Sequence, residues 1–148
     1  MKPVRTWVLI ADAGRARVLE GRGPGHGLKP ISNLTFDNPR PEHEPGGSDR
    51  GRSFESASPT RHAIEPTSDP DRLSMARFAA ELVERLEEQR TAKAFDRLVL
   101  VAPAKMMGEL RQAVGDALGR MVDGEVIADL TRVPDHEVAA HLDGVLVA

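Results

Sequence analysis

Apolar residues recur along this chain with two periods, and the change from one to the other outlines the elements. Residues 4–11 (VRTWVLIA) are almost continuously apolar, which predicts a central strand buried on both faces. Asp12-Ala13-Gly14 supplies turn chemistry, and ARVLEG after it predicts a second strand. In that strand Ala16, Val18 and Glu20 share one face, and Arg15, Arg17 and Leu19 the other. GRGPGHG from Gly21 predicts a flexible turn, and LKPISNLTF a third strand. Pro30 puts this strand at a sheet edge, because proline has no N–H to give a ladder. The three strands form an antiparallel meander.

Residues 37–67 carry no sustained period and are dense in Pro and Gly. Order resumes at Ser68-Asp69-Pro70, with Asp69 as N-cap and Pro70 at the first helical position. The helix runs to about Arg90, with Met75, Ala79, Leu82 and Leu86 on one stripe widened by Phe78 and Val83. Glu81, Arg85 and Glu88 stay outside it. FDRLVLVA (95–102) predicts a buried strand. Pro103 then opens a helix carrying Met107, Leu110, Val114, Ala117 and Met121. GEVIADL (124–130) predicts a fifth strand, and Pro134 starts a helix with Val138, Leu142 and Val145 on its apolar side.

The order β-β-β-α-β-α-β-α places the chain in the α/β class. Helices between the later strands require parallel crossovers, so a mixed five-stranded sheet sandwiched by helices is expected. A three-strand meander followed by βαβα is the order of the ribonuclease H-like three-layer sandwich. At 148 residues one domain spans the chain, with a long Pro/Gly/Arg-rich loop at about 37–67 after the third strand. With one Trp, four Phe and no Tyr, small aliphatic side chains must fill the core.

Composition narrows the chemistry. The absence of cysteine excludes a disulfide framework, a thiolate metal site and a cysteine nucleophile. A net charge of −3 gives no global basic field, so nucleic-acid contact requires a local patch. The apolar run from Trp7 to Ala11 is too short for a signal-peptide core, and Arg15 and Arg17 follow closely. No segment approaches the roughly 20 apolar residues that span a bilayer. A cytoplasmic protein without membrane contact is expected.

Asp12, at the end of the first strand, is the one weak catalytic candidate. A two-metal nuclease needs clustered carboxylates around ions roughly 4 Å apart, and the fourth strand ends in Val101-Ala102-Pro103 with no acid. Asp12 reads instead as a turn residue bonding nearby backbone. The five histidines are scattered, and His136 and His141 point to different sides of a helix. No metal site and no cofactor are expected. No G-x-S-x-G elbow accompanies the loop serines. The loop is the remaining candidate, because long loops in compact domains are functional or disordered. Arg50, Arg52, Arg61 and His62 lie on a glycine-rich backbone there, and guanidinium groups can wrap phosphates or carboxylates. Arg15 and Arg17 of the second strand join them as candidate binding residues.

The set TWVLIADAGRARVLE, RGRSFES, RHAIEP, FAAELVERLE, FDRLVLVAPAKMMGELR and IADLTR resembles the bacterial host-attachment protein family. The likeness covers essentially the whole chain, and MGELR departs from the family pattern at Met107, where leucine is common. This family is similar in turn to the central, ribonuclease H-like domain of archaeal and eukaryotic release factors and of Pelota. In the release factors a Gly-Gly-Gln loop promotes ester hydrolysis on the ribosome. Here Gly46-Gly47 is followed by Ser48, so no hydrolytic role is carried over. The resemblance implies a non-catalytic binding module directed at RNA or the ribosome through the long loop. The alternatives are a metal-dependent nuclease or ester hydrolase acting on RNA- or tRNA-like substrates, and a factor promoting attachment to host cells.

Overall fold

A computed structural model describes residues 4–23, 25–39, 70–142 and 144–145. Strand β1 (Thr6–Ala11) is buried at every position. It pairs antiparallel with β2 (Arg15–Gly21), which pairs antiparallel with β3 (Leu28–Asp37). On its other side β1 pairs in parallel with β4 (Arg97–Ala102), and β4 in parallel with β5 (Val122–Ile127). The result is one mixed five-stranded sheet of order β3-β2-β1-β4-β5.

Pro30 sits in the edge strand, as its missing donor requires. The pairing of β2 with β3 slips between Arg17 and Leu19, and Asn33 of β3 takes a positive φ of 78°. Asn is among the few side chains that tolerate that conformation. An irregular, proline-bearing edge also discourages pairing with other chains.

Strand alternation divides the core in two. Trp7, Leu9, Ala11, Ala16, Val18, Leu98, Leu100 and Ala102 face the long helix α1 (Pro70–Thr91) and α2 (Ala104–Ala113). Phe78, Ala79, Leu82, Val83 and Leu86 of α1 are buried there, on the stripe that the spacing predicts. Arg85 departs from expectation: it lies half-buried, its guanidinium carbon 5.5 Å from the centre of the Phe36 ring. Trp7 stacks on Phe95 at 4.7 Å and donates from Nε1 to Glu20 across the β1–β2 pair, so its polar edge is satisfied. Val8, Ile10, Leu19, Val99 and Val101 form the opposite face, covered by Leu130, Val138 and Leu142. The sheet therefore has cover on both sides, as its uninterrupted apolar strands demand.

Three elements differ from their sequence patterns. The helix expected from Pro103 to Met121 breaks at Val114, whose backbone is extended, and resumes as α3 (Asp116–Gly119). Gly115 weakens a continuous helix there, and the break lets Leu118 turn into the core. Strand β5 begins at Val122 rather than Gly124 and ends at Ile127; the Ala128 N–H still donates to the Ala102 carbonyl at 3.1 Å before the chain turns toward Thr131. The last helix is a single turn, α4 (Asp135–Val138), continued by a 3-10 turn (Ala139–Leu142). Gly144, at φ 92°, follows that turn. The expected N-cap Asp69 lies outside the described residues.

Replacing Phe78, 1% exposed on the buried side of α1, with alanine is expected to cost about 3–5 kcal/mol. Ile127→Ala, at a position 53% exposed, is expected to cost less than about 0.5 kcal/mol. Urea denaturation of the two variants checks both values.

Candidate functional site

Because β1, β4 and β5 run in parallel, the turns that follow them emerge at one edge of the sheet. The start of β2 and the end of β3 lie at the same edge. That edge carries two polar arrangements, one on each face.

Asp12 ends β1 and closes the β1–β2 turn. Its backbone N–H donates to the Arg15 carbonyl at 2.9 Å. Its Oδ1 accepts from the N–H groups of Gly14 (2.8 Å) and Arg15 (2.9 Å), the Asx-turn role expected from the sequence. Oδ2 lies 2.9 Å from the Thr131 hydroxyl, which also lies 2.8 Å from Oδ1 of Asp129. Thr131 is buried, and its hydroxyl carries one hydrogen between two carboxylates. Asp129 further accepts from the Thr131 N–H at 3.2 Å.

Arg17 stands beside this group on the same face of β2. Its Nε donates to Asp135 at 2.8 Å, and its two terminal nitrogens to the carbonyls of Thr131 (2.9 Å) and Val133 (2.6 Å). With three of its five donors engaged and 19% of its side chain exposed, Arg17 straps the 129–135 segment to β2. Arg15 is exposed and makes no ion pair among the described residues. Parity separates Asp12 and Arg17 from the helical face. Asp129, Thr131 and Asp135 escape sequence reasoning because they lie far along the chain; the run ADLTR holds the first two, and Asp135 lies beyond it.

On the helical face, a cleft of about 470 Å³ opens between the first turns of α1 and α2. It is lined by Ala13 after β1, by Arg72 and Met75 of α1, and by Lys105, Gly108 and Glu109 of α2. Arg72 spans the two helices to Glu109, N to O 3.6 Å. Lys105 is exposed and makes no ion pair among the described residues. No side-chain hydrogen bond from Pro103 caps α2, its first turn contains no acid, and Asp71 of α1 lies across the cleft from it. Away from this edge, the hydrogen bond and charge of Glu125 hold the Arg111 guanidinium above its ordinary range.

Asn38 joins the β1–β2 turn to α1. Its N–H donates to Gly14 O at 2.9 Å, and its Nδ2 reaches Ala13 O (2.9 Å) and the buried Ser74 hydroxyl (3.0 Å). The chain therefore leaves β3 and re-enters at α1 beside the same turn. Arg50, Arg52, Arg61 and His62, together with Gly46-Gly47, lie outside the described residues. Among the described residues, no three or more His, Asp or Glu side chains are grouped to hold a metal ion. No helix among them is long and apolar enough to cross a membrane.

The model of the family described as "Protein required for attachment to host cells" matches residues 7–142. That span includes every residue of the edge described above. No curated protein matches the chain.

Asp12→Asn keeps the Oδ1 acceptor and places an amide donor against the Thr131 oxygen, whose hydrogen can then go to Asp129. It is expected to cost less than about 1 kcal/mol, whereas Asp12→Ala, which orphans two backbone donors, is expected to cost about 2–3 kcal/mol. Arg17→Met leaves two carbonyls and Asp135 without their donor and is expected to cost about 2 kcal/mol. Denaturant midpoints of the three variants check this ranking.

Proposed function

Because the chain belongs to the family of proteins required for attachment to host cells, we propose that it acts within that family as a non-catalytic binding module. Its target is RNA or the ribosome, and residues 40–69 make the contact together with the exposed Arg15. The observation that carries this reading is the Asn38 junction. By bonding both the Ala13 carbonyl and Ser74, Asn38 joins the end of β3 and the start of α1, which flank residues 40–69, to the turn that bears Arg15. In this reading Arg50, Arg52 and Arg61, which belong to that segment, join Arg15 and Lys105 of the same edge. A local cluster of this kind is what phosphate binding requires in a chain with no net positive charge. Arg17 serves that surface indirectly, by holding the 129–135 segment beneath it.

The ribonuclease H-like assignment and the kinship with the release-factor central domain belong to the same proposal. Support comes from the strand order β3-β2-β1-β4-β5 with β1, β4 and β5 parallel. Co-sedimentation of the protein with ribosomes across a salt series tests the reading. Binding that falls with salt and is lost on deletion of residues 45–62 is expected. No binding at low salt would sink it.

One observation favours a second reading, a metal-dependent nuclease or an ester hydrolase on RNA- or tRNA-like substrates. The second acid that β4 lacks is supplied by Asp129, which shares the Thr131 hydroxyl with Asp12. Magnesium-dependent RNA cleavage that disappears in Asp12→Asn, a variant expected to fold, would put this reading first. An intact RNA after prolonged incubation would remove it.

A further inference from the structure

The two halves of the cover over the second face are fastened differently. Residues 129–135 are bonded to the sheet, since Arg17 donates to Thr131, Val133 and Asp135, and the Thr131 hydroxyl meets Asp12. Beyond them the fastening changes. Among the described residues, no side-chain hydrogen bond or ion pair joins the 3-10 turn (Ala139–Leu142), Gly144 or Val145 to a strand. Apolar packing holds them instead: Leu142 is fully buried and Val145 half-buried in the cluster that contains Val8, Val99 and Val101.

Two glycines set the seat of Val145. Gly144 takes φ 92°, in the left-handed region that side chains disfavour, and the Val145 N–H donates back to the Leu142 carbonyl at 3.0 Å. The chain thereby reverses after the 3-10 turn. Gly124 of β5 is the other. It pairs with Val99, so its missing side chain would lie on the same face of the sheet. A Cβ there would collide with Cγ1 of Val145, yet would lie 3.8 Å from Val145 Cβ, an ordinary contact. Glycine weakens a strand interior and marks close approach by another part of the chain. Here it leaves a hollow, and one methyl of Val145 fills it. Valine holds that methyl in place because its χ1 is stiff.

We infer that the 3-10 turn, Gly144 and Val145 form a latch, closed by Val145 in the hollow at Gly124, which opens without unfolding the rest of the chain. Opening exposes Leu142 and Val145 but breaks none of the bonds that Arg17 and Asp12 make to residues 129–135. Segments held by few apolar contacts are the ones that open locally. The second face therefore has two states, one fully covered and one from which Leu142 and Val145 have withdrawn. The helical face keeps its cover in both. No residue of the 40–69 segment takes part, so the inference stands apart from the reading of that segment.

Native-state amide hydrogen exchange of the intact chain, followed by NMR, tests this at two hydrogen-bonded probes. One is the Val145 N–H; the other is the Val133 N–H, which donates to the Leu130 carbonyl at 3.1 Å in the bonded half. The Val145 amide is expected to be protected, yet to exchange at least about a hundredfold faster than the amides of β1. Arg17→Met should speed exchange at Val133 and change that at position 145 by less than about twofold. Gly124→Ala should speed exchange at position 145 roughly thirtyfold by overpacking the hollow, and Val145→Ala about fivefold through lost burial. The double variant is decisive. Val145→Ala removes Cγ1, so adding Gly124→Ala to it should have no further effect. Four results would overturn the inference: an unprotected amide at Val145, exchange there in step with β1, no acceleration in Gly124→Ala, or a double variant whose acceleration is the product of the two single ones.

Discussion

The parallel pairing of β1 with β4 is the constraint on which the rest of this protein depends. Both strands are buried along nearly their whole length and on both faces. A sheet core of that kind is stable only if something apolar covers each side. The long helix α1 with α2 provides one cover, and the short C-terminal turns provide the other. Parallel strands also send their following turns to one edge, where loops must surface to keep their backbone groups solvated or bonded. The polar chemistry collects there as a consequence of the packing.

That edge is tied together by side chains that close gaps between distant segments. Asp12 stabilises its own turn and reaches Thr131, while Arg17 binds two carbonyls and a carboxylate of the same distant segment. These contacts hold the cover over the second face, which among the described residues is made by Leu130, Val138, Leu142 and their half-buried neighbours. The opposite face is covered by the long helix α1, which Asn38 ties to the β1–β2 turn through Ser74 and Arg72 ties to α2 through Glu109.

The candidate residues divide along the same line. Asp12 was legible as a turn residue because an Asx-turn is local: its partners lie two and three residues away. Its second partner, Thr131, was not, since no periodicity links the end of β1 to the turn after β5. Arg15 and Arg17 look equivalent in sequence, on one strand with the same parity. In the fold one is exposed, and the other is taken up by the 129–135 segment.

By itself the sequence determined the strands and helices, the two-faced burial of β1 and β4, the edge position of β3 and the site of the long segment between β3 and α1. These follow from side-chain period, proline's missing donor and turn chemistry, all of which act over a few residues. Tertiary structure decided the break at Val114, the early start of β5, the sharing of Thr131 by two carboxylates and the strap made by Arg17. Each depends on what a distant segment presents across the sheet. An apolar pattern states that a face will be buried, but not which residues will meet it there.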